Sequence, residues 1–115
     1  PTPVTTVMIC NIPCRISVQD LQGALDGHSF YDLYNFCYVP PAFRLARSSN
    51  LGYAFINFTS LDAAQRFQIE FEGFRFPDAN SAKACTVRPA NVQGFEANVK
   101  RLGRRTWARG NVWCS

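Results

Sequence analysis

Two aromatic rings, Tyr53 and Phe55, stand two residues apart in the run Leu51-Gly52-Tyr53-Ala54-Phe55-Ile56-Asn57-Phe58. In an extended chain, residues at i and i+2 leave the backbone on the same side. Leu51, Tyr53, Phe55 and Asn57 therefore share one face, and Ala54, Ile56 and Phe58 the other. Paired rings on an open sheet stack flat π systems such as nucleobases, with each stack contributing about 1–3 kcal/mol. The same spacing also suits packing residues in a sheet buried on both sides, and spacing alone leaves the two readings open. Asn57 adds a carboxamide able to reach a base edge.

The cations that could accompany such a platform are unevenly placed. Net charge is +4. Residues 1–87 hold six Lys/Arg against seven Asp/Glu, whereas residues 88–115 hold six against Glu96 alone. Ten of the twelve are arginine, whose planar fork clamps phosphate and stacks on bases. A solvated basic tail gives the same asymmetry on proteins that bind no nucleic acid.

Other chemistry is thinly represented. His28 is the single histidine, and there is no Gly-rich phosphate loop, no H-E-x-x-H and no Ser or Cys motif with a recognisable base. Asp26 beside His28, and Asp62 with Glu70 and Glu72, read as helix-end and helix-surface charges. Nothing here points to an enzyme. Cys10, Cys14, Cys37, Cys85 and Cys114 form an odd set without a C-x-x-C pair, which fits reduced thiols better than a disulfide framework. We expect no metal, no cofactor and no small-molecule substrate.

The elements that must position the rings can be read from capping and alternation. Thr5 to Asn11 is β-branched and apolar and stops at Pro13, giving a first strand. Ser17, with Asp20 three residues on, caps a helix carrying Val18, Leu21 and Leu25 and ending near Gly27. Tyr34 to Val39 reads as a strand entering a loop at Pro40-Pro41, and Gly52 to Phe58 as the strongest strand. Ser60 caps a second helix with Ala64, Phe67 and Phe71 on one side, closed by Gly73. Cys85 to Arg88 reads as a fourth strand. Val92, Phe95, Val99 and Leu102 recur at helical spacing, so a third helix is expected, with Gly94 inside it costing about 1 kcal/mol relative to alanine.

The order β-α-β-β-α-β predicts an α+β, ferredoxin-like sandwich: a four-stranded antiparallel sheet, two helices on one face and an extra C-terminal helix. Hydrophobic residues make up 47% of the chain, aromatic 14% and charged 17%. That composition opposes disorder, and 115 residues suffice for one domain. We place it at residues 1–103, with 104–115 as a basic, tryptophan-containing tail. The apolar stripe of the third helix could lie across Tyr53 and Phe55 or pack at the sheet edge, and the sequence is compatible with both. No run approaches the roughly 18 apolar residues of a membrane span.

The run Leu51 to Phe58 resembles the octamer of the RNA recognition motif, and Val7-Met8-Ile9-Cys10-Asn11-Ile12 its hexamer. More narrowly, Thr5 to Ile9 with Asn11-Ile12-Pro13, and Gly52 to Ser60 running into Ala63 to Phe67, are similar to the C-terminal motif of the Mei-two-like regulators. Phe36, Tyr38, Pro40, Phe43 and Gln93-Gly94 fit that subfamily too. The resemblance covers about Thr5 to Leu102 and departs at Leu51, where the octamer usually carries a cation, and at Cys10 and Cys14.

It implies single-stranded RNA as the partner and a regulatory, intracellular role, nuclear or cytoplasmic. An organelle stays open because the chain begins at Pro1. On this reading Tyr53 and Phe55 stack bases, Met8 adds a third apolar contact, and Asn57 or Asn35 reaches a base edge. Arg44, Arg47, Arg88, Arg101, Arg104 and Arg105 would neutralise phosphates. The rival reading is a protein-interaction subunit of a larger assembly, held through the sheet face or through Trp107 and Trp113, since buried tryptophans dominate interface energy. The alternative for those tryptophans is a tail folded back on its own domain.

Overall fold

The computed structural model describes residues 3–42, 49–77, 82–102 and 111–115. Its elements are β1 (Thr6–Cys10), α1 (Val18–Gly27), β2 (Tyr34–Tyr38), β3 (Tyr53–Phe58), α2 (Leu61–Glu70), β4 (Thr86–Pro89), α3 (Phe95–Arg101) and β5 (Val112–Cys114). All strand pairs are antiparallel, in the order β4-β1-β3-β2-β5.

Local chemistry sets the helix starts. At α1 the Ser17 hydroxyl accepts from the Asp20 N–H at 3.0 Å while the Asp20 carboxylate accepts from the Ser17 N–H at 2.9 Å, so two otherwise free donors are satisfied reciprocally. At α2 the Ser60 hydroxyl accepts from the Ala63 N–H at 3.1 Å. Each helix then turns a stripe onto the sheet: Val18, Leu21 and Leu25 from α1, and Ala63, Ala64 and Phe67 from α2. The sheet answers with Val7, Ile9, Ala54, Ile56 and Phe58, all fully or almost fully buried. Each large side chain sealed here contributes about 1.5–3 kcal/mol. Phe30, Phe58, Phe67 and Phe71 form a continuous ring cluster between the layers.

The sheet has five strands among the described residues where the sequence predicts four. The added strand is β5, from the segment assigned to the tail. Without it, β2 would be an edge with unpaired backbone groups. Residues Val112 to Cys114 pair with it, and the Asn111 carbonyl accepts from the Val39 N–H at 3.0 Å. Trp113 points to the helix side, packs against the core and meets Tyr34 edge-on at 5.1 Å between ring centroids.

A second difference concerns Gly94. It stands just before α3 rather than inside it, at φ +96°, a conformation that side-chain-bearing residues adopt only with strain. The cost of an internal glycine therefore does not arise.

Candidate nucleic-acid interface

Cross-strand register divides the face opposite α1 and α2 into rows. Thr86, Cys10 and Tyr53 form one row. Arg88, Met8, Phe55, Tyr38 and Val112 form the next. Thr6, Asn57 and Phe36 form the third, which Cys114 continues on β5.

The third row is closed. Thr6, Asn57 and Phe36 are 0%, 3% and 1% exposed, and α3 is tied down over the first two by hydrogen bonds. The Thr6 hydroxyl donates to Asn57 Oδ1 at 2.7 Å and accepts from the Gly94 N–H at 2.9 Å and from Asn98 Nδ2 at 3.2 Å. One donor and two lone pairs are thereby all used. Asn98 Nδ2 also donates to the Gly94 carbonyl at 2.7 Å, and Asn57 Nδ2 donates to Asn35 Oδ1 at 2.9 Å.

Gln93 fixes the approach to the helix. Its Oε1 accepts from the Thr5 and Thr6 N–H groups at 2.9 Å each, and its Nε2 donates to the Thr6 and Ala90 carbonyls at 2.8 Å each. A side-chain amide thus continues the β1 ladder where β4 ends at Pro89, which has no N–H to give.

The other two rows stay partly open. Met8, Cys10, Tyr38, Tyr53 and Phe55 are half-buried. Tyr38 and Phe55 stack nearly parallel, 6.2 Å apart at 15°, and Tyr53 meets Phe55 edge-on at 5.7 Å. Burial raises the Tyr38 phenol above its ordinary pKa, as does the neighbouring Tyr53, while Arg101 pulls in the opposite direction. Arg101 leaves the end of α3 with its guanidinium carbon 5.9 Å from the Phe55 ring centroid. Arg88 is exposed at the β4 end of the middle row.

The structure therefore brings Tyr53, Phe55, Met8, Arg88 and Arg101 to one surface, whereas half-buried Asn35 lies apart from it, beside Phe36 in the closed row, with its Oδ1 accepting from Asn57 Nδ2. It corrects the placement of Asn57, which lies beneath α3 with its carboxamide committed to Thr6 and Asn35. The apolar stripe expected to seat the third helix is only half-buried, and the residue α3 buries is Asn98, because the strand face below it is polar. The rings themselves are not sealed. Arg44, Arg47, Arg104, Arg105 and Trp107 lie outside the described residues. Trp113 is used within the chain's own sheet. Leu51 is 52% exposed at the mouth of β3.

Sequence reasoning missed Tyr38 as a platform residue, and missed Thr6, Gln93 and Asn98 as the anchor of α3. All five cysteines are free, and among the described residues no group of three or more His, Cys, Asp and Glu gathers as a metal site. No helix among those residues is long and apolar enough to cross a membrane.

Residues 4–103 match the family model described as RNA recognition motif 2. The chain belongs to that family. Among curated proteins, the motif is 35% identical over 120 residues to Protein MEI2-like 7 of Oryza sativa subsp. japonica, covering 90% of this chain and 31% of that protein. It is 36% identical over 107 residues to Protein terminal ear1 of Zea mays, covering 81% of this chain and 16% of that protein. The chain thus spans less than a third of these relatives, and it is an RNA recognition motif of the Mei-two-like kind. Among solved structures, the Rna15 RRM with bound RNA (GU) shares the fold at TM-score 0.61 and 16% identity, covering 86% of this chain and 96% of that one.

Proposed function

We propose that this motif binds single-stranded RNA across the uncovered part of its sheet, as one module of a longer intracellular regulatory protein. The observation that carries the reading is the contiguous set of half-buried rings, Tyr38, Phe55 and Tyr53, beside a region closed by α3. Tyr53 and Phe55 each stack a base, and Tyr38 widens the Phe55 seat. Met8 supports a further apolar contact, its thioether adapting to the base above it. Arg88 meets a phosphate, and Arg44, Arg47, Arg104 and Arg105 do the same from outside the described residues. The family match and the RNA-bound state of the Rna15 motif support the same partner class.

The test is titration of a labelled single-stranded RNA between about 50 and 200 mM salt. With about three phosphates engaged, log affinity falls against log salt with a slope near −2, each contact contributing about −0.7. Absence of binding at both ends of that range would overturn the proposal and turn attention to a protein partner.

A further inference from the structure

We infer that Arg101 is a stacking clamp, closing over a base seated on Phe55 so that the base lies between an aromatic ring and a guanidinium plane. The inference rests on the RNA-binding reading above and deepens it, because from sequence Arg101 is expected only to neutralise a phosphate.

The argument begins with helix spacing. Arg101 follows Asn98 by three residues in α3, so the two side chains leave the same side of the helix. Asn98 is fixed downward on Thr6, which pairs with Asn57 on β3. Phe55 lies two residues along β3 from Asn57 and faces the same way. Arg101 closes α3 about one turn beyond Asn98. Its side chain sets the guanidinium carbon 5.9 Å from the Phe55 ring centroid.

Direct contact between two flat groups needs about 3.5–4.0 Å, so a base with a plane on either side needs about 7–8 Å between them. Arg101 is exposed and its guanidinium already stands beyond direct contact with the ring, so an outward movement of this one side chain admits a base. The helix does not have to leave, because its anchors are Gln93 and Gly94 at its start and Asn98 at its middle, none of which involves the Arg101 side chain. The guanidinium also acts on the phenol of Tyr38, the ring stacked beside Phe55. Planarity is the property used here: lysine keeps the charge but cannot lie flat on a base.

The experiment compares the full chain with Arg101→Lys and Arg101→Ala in titrations of a short, labelled single-stranded RNA of random sequence, each at several salt concentrations. A clamp predicts that both variants lose affinity by about three- to fivefold and that both keep the parental salt slope. Parental affinity in Arg101→Lys, with the slope shallower by about 0.7 in Arg101→Ala, would overturn the clamp and leave a phosphate contact in its place. No binding by the parent would overturn the RNA reading itself, and the clamp with it.

Discussion

At one end of the face opposite α1 and α2, Thr6 and Asn57 lie beneath α3 with every polar atom of the Thr6 hydroxyl engaged. At the other, two residues further along the same strands, Met8 and Phe55 lie half-buried beside Tyr38 and Tyr53. The strands are the same and the contrast lies in side-chain chemistry. A buried hydroxyl and carboxamide require partners of matching geometry, and leaving one unpaired costs about 1–3 kcal/mol. They select a helix that presents Asn98 and Gly94, and they fix where it sits. Rings need no such partner and remain available to anything flat and apolar. The position of the cover is thus set by polar complementarity, and the open platform is what the cover does not reach.

The largest expected effect of breaking this contrast is on stability. Thr6→Val keeps the side-chain shape but deprives Asn57, Gly94 and Asn98 of a shared partner, and we expect a loss of about 2–3 kcal/mol in urea denaturation. Faster amide exchange across α3 should accompany it. A variant as stable as the parent would mean that something other than this network holds the helix.

Tyr38→Ala acts on the other half. It should weaken single-stranded RNA binding by about 1–2 kcal/mol in a fluorescence titration while changing the melting temperature little. Unchanged affinity would remove Tyr38 from the platform and leave Tyr53 and Phe55 as its rings.

The smallest effect distinguishes the sealed side of the sheet from the open one. Burial pushes the Cys85 thiol up to about 11 from an ordinary value of 9.0, with Cys10 and Glu72 adding to it, and burial also raises Cys37. The folded state then holds these protons more tightly than the unfolded state. Their contribution to stability is complete below pH 9.0 and declines as pH rises through about 11. Melting temperatures should therefore be level up to about pH 9 and fall above it, with a shallower fall in Cys85→Ala. An identical fall in that variant would assign the effect to other groups.

Much of the framework was legible because it is encoded locally. Ser17 with Asp20, Ser60, and the alternation from Gly52 to Phe58 each state their role within a few residues. What was not legible depends on distant partners. Asn98 cannot be read as buried without knowing that Thr6, 92 residues earlier, waits beneath it. Asn57 looked available to a base because its polarity was visible and its partners were not.

Tyr38 was obscured by a register shift. Tyr34 and Tyr38 are four residues apart and would share a face in a regular strand, yet Tyr34 faces the core and Tyr38 the open side. The irregularity between Tyr34 and Phe36 inserts one residue and reverses the phase. β5 is three residues long and has no period to detect, and its strand character arises from the edge of β2 that it covers.

The measurement that bears most directly on the platform is the affinity of the doubly substituted chain, Tyr53→Ala with Phe55→Ala, for single-stranded RNA at moderate salt. Its folding would be checked in parallel by thermal melting. The account predicts a folded protein that binds about thirtyfold more weakly or worse. A folded double variant that binds as tightly as the parent would contradict it.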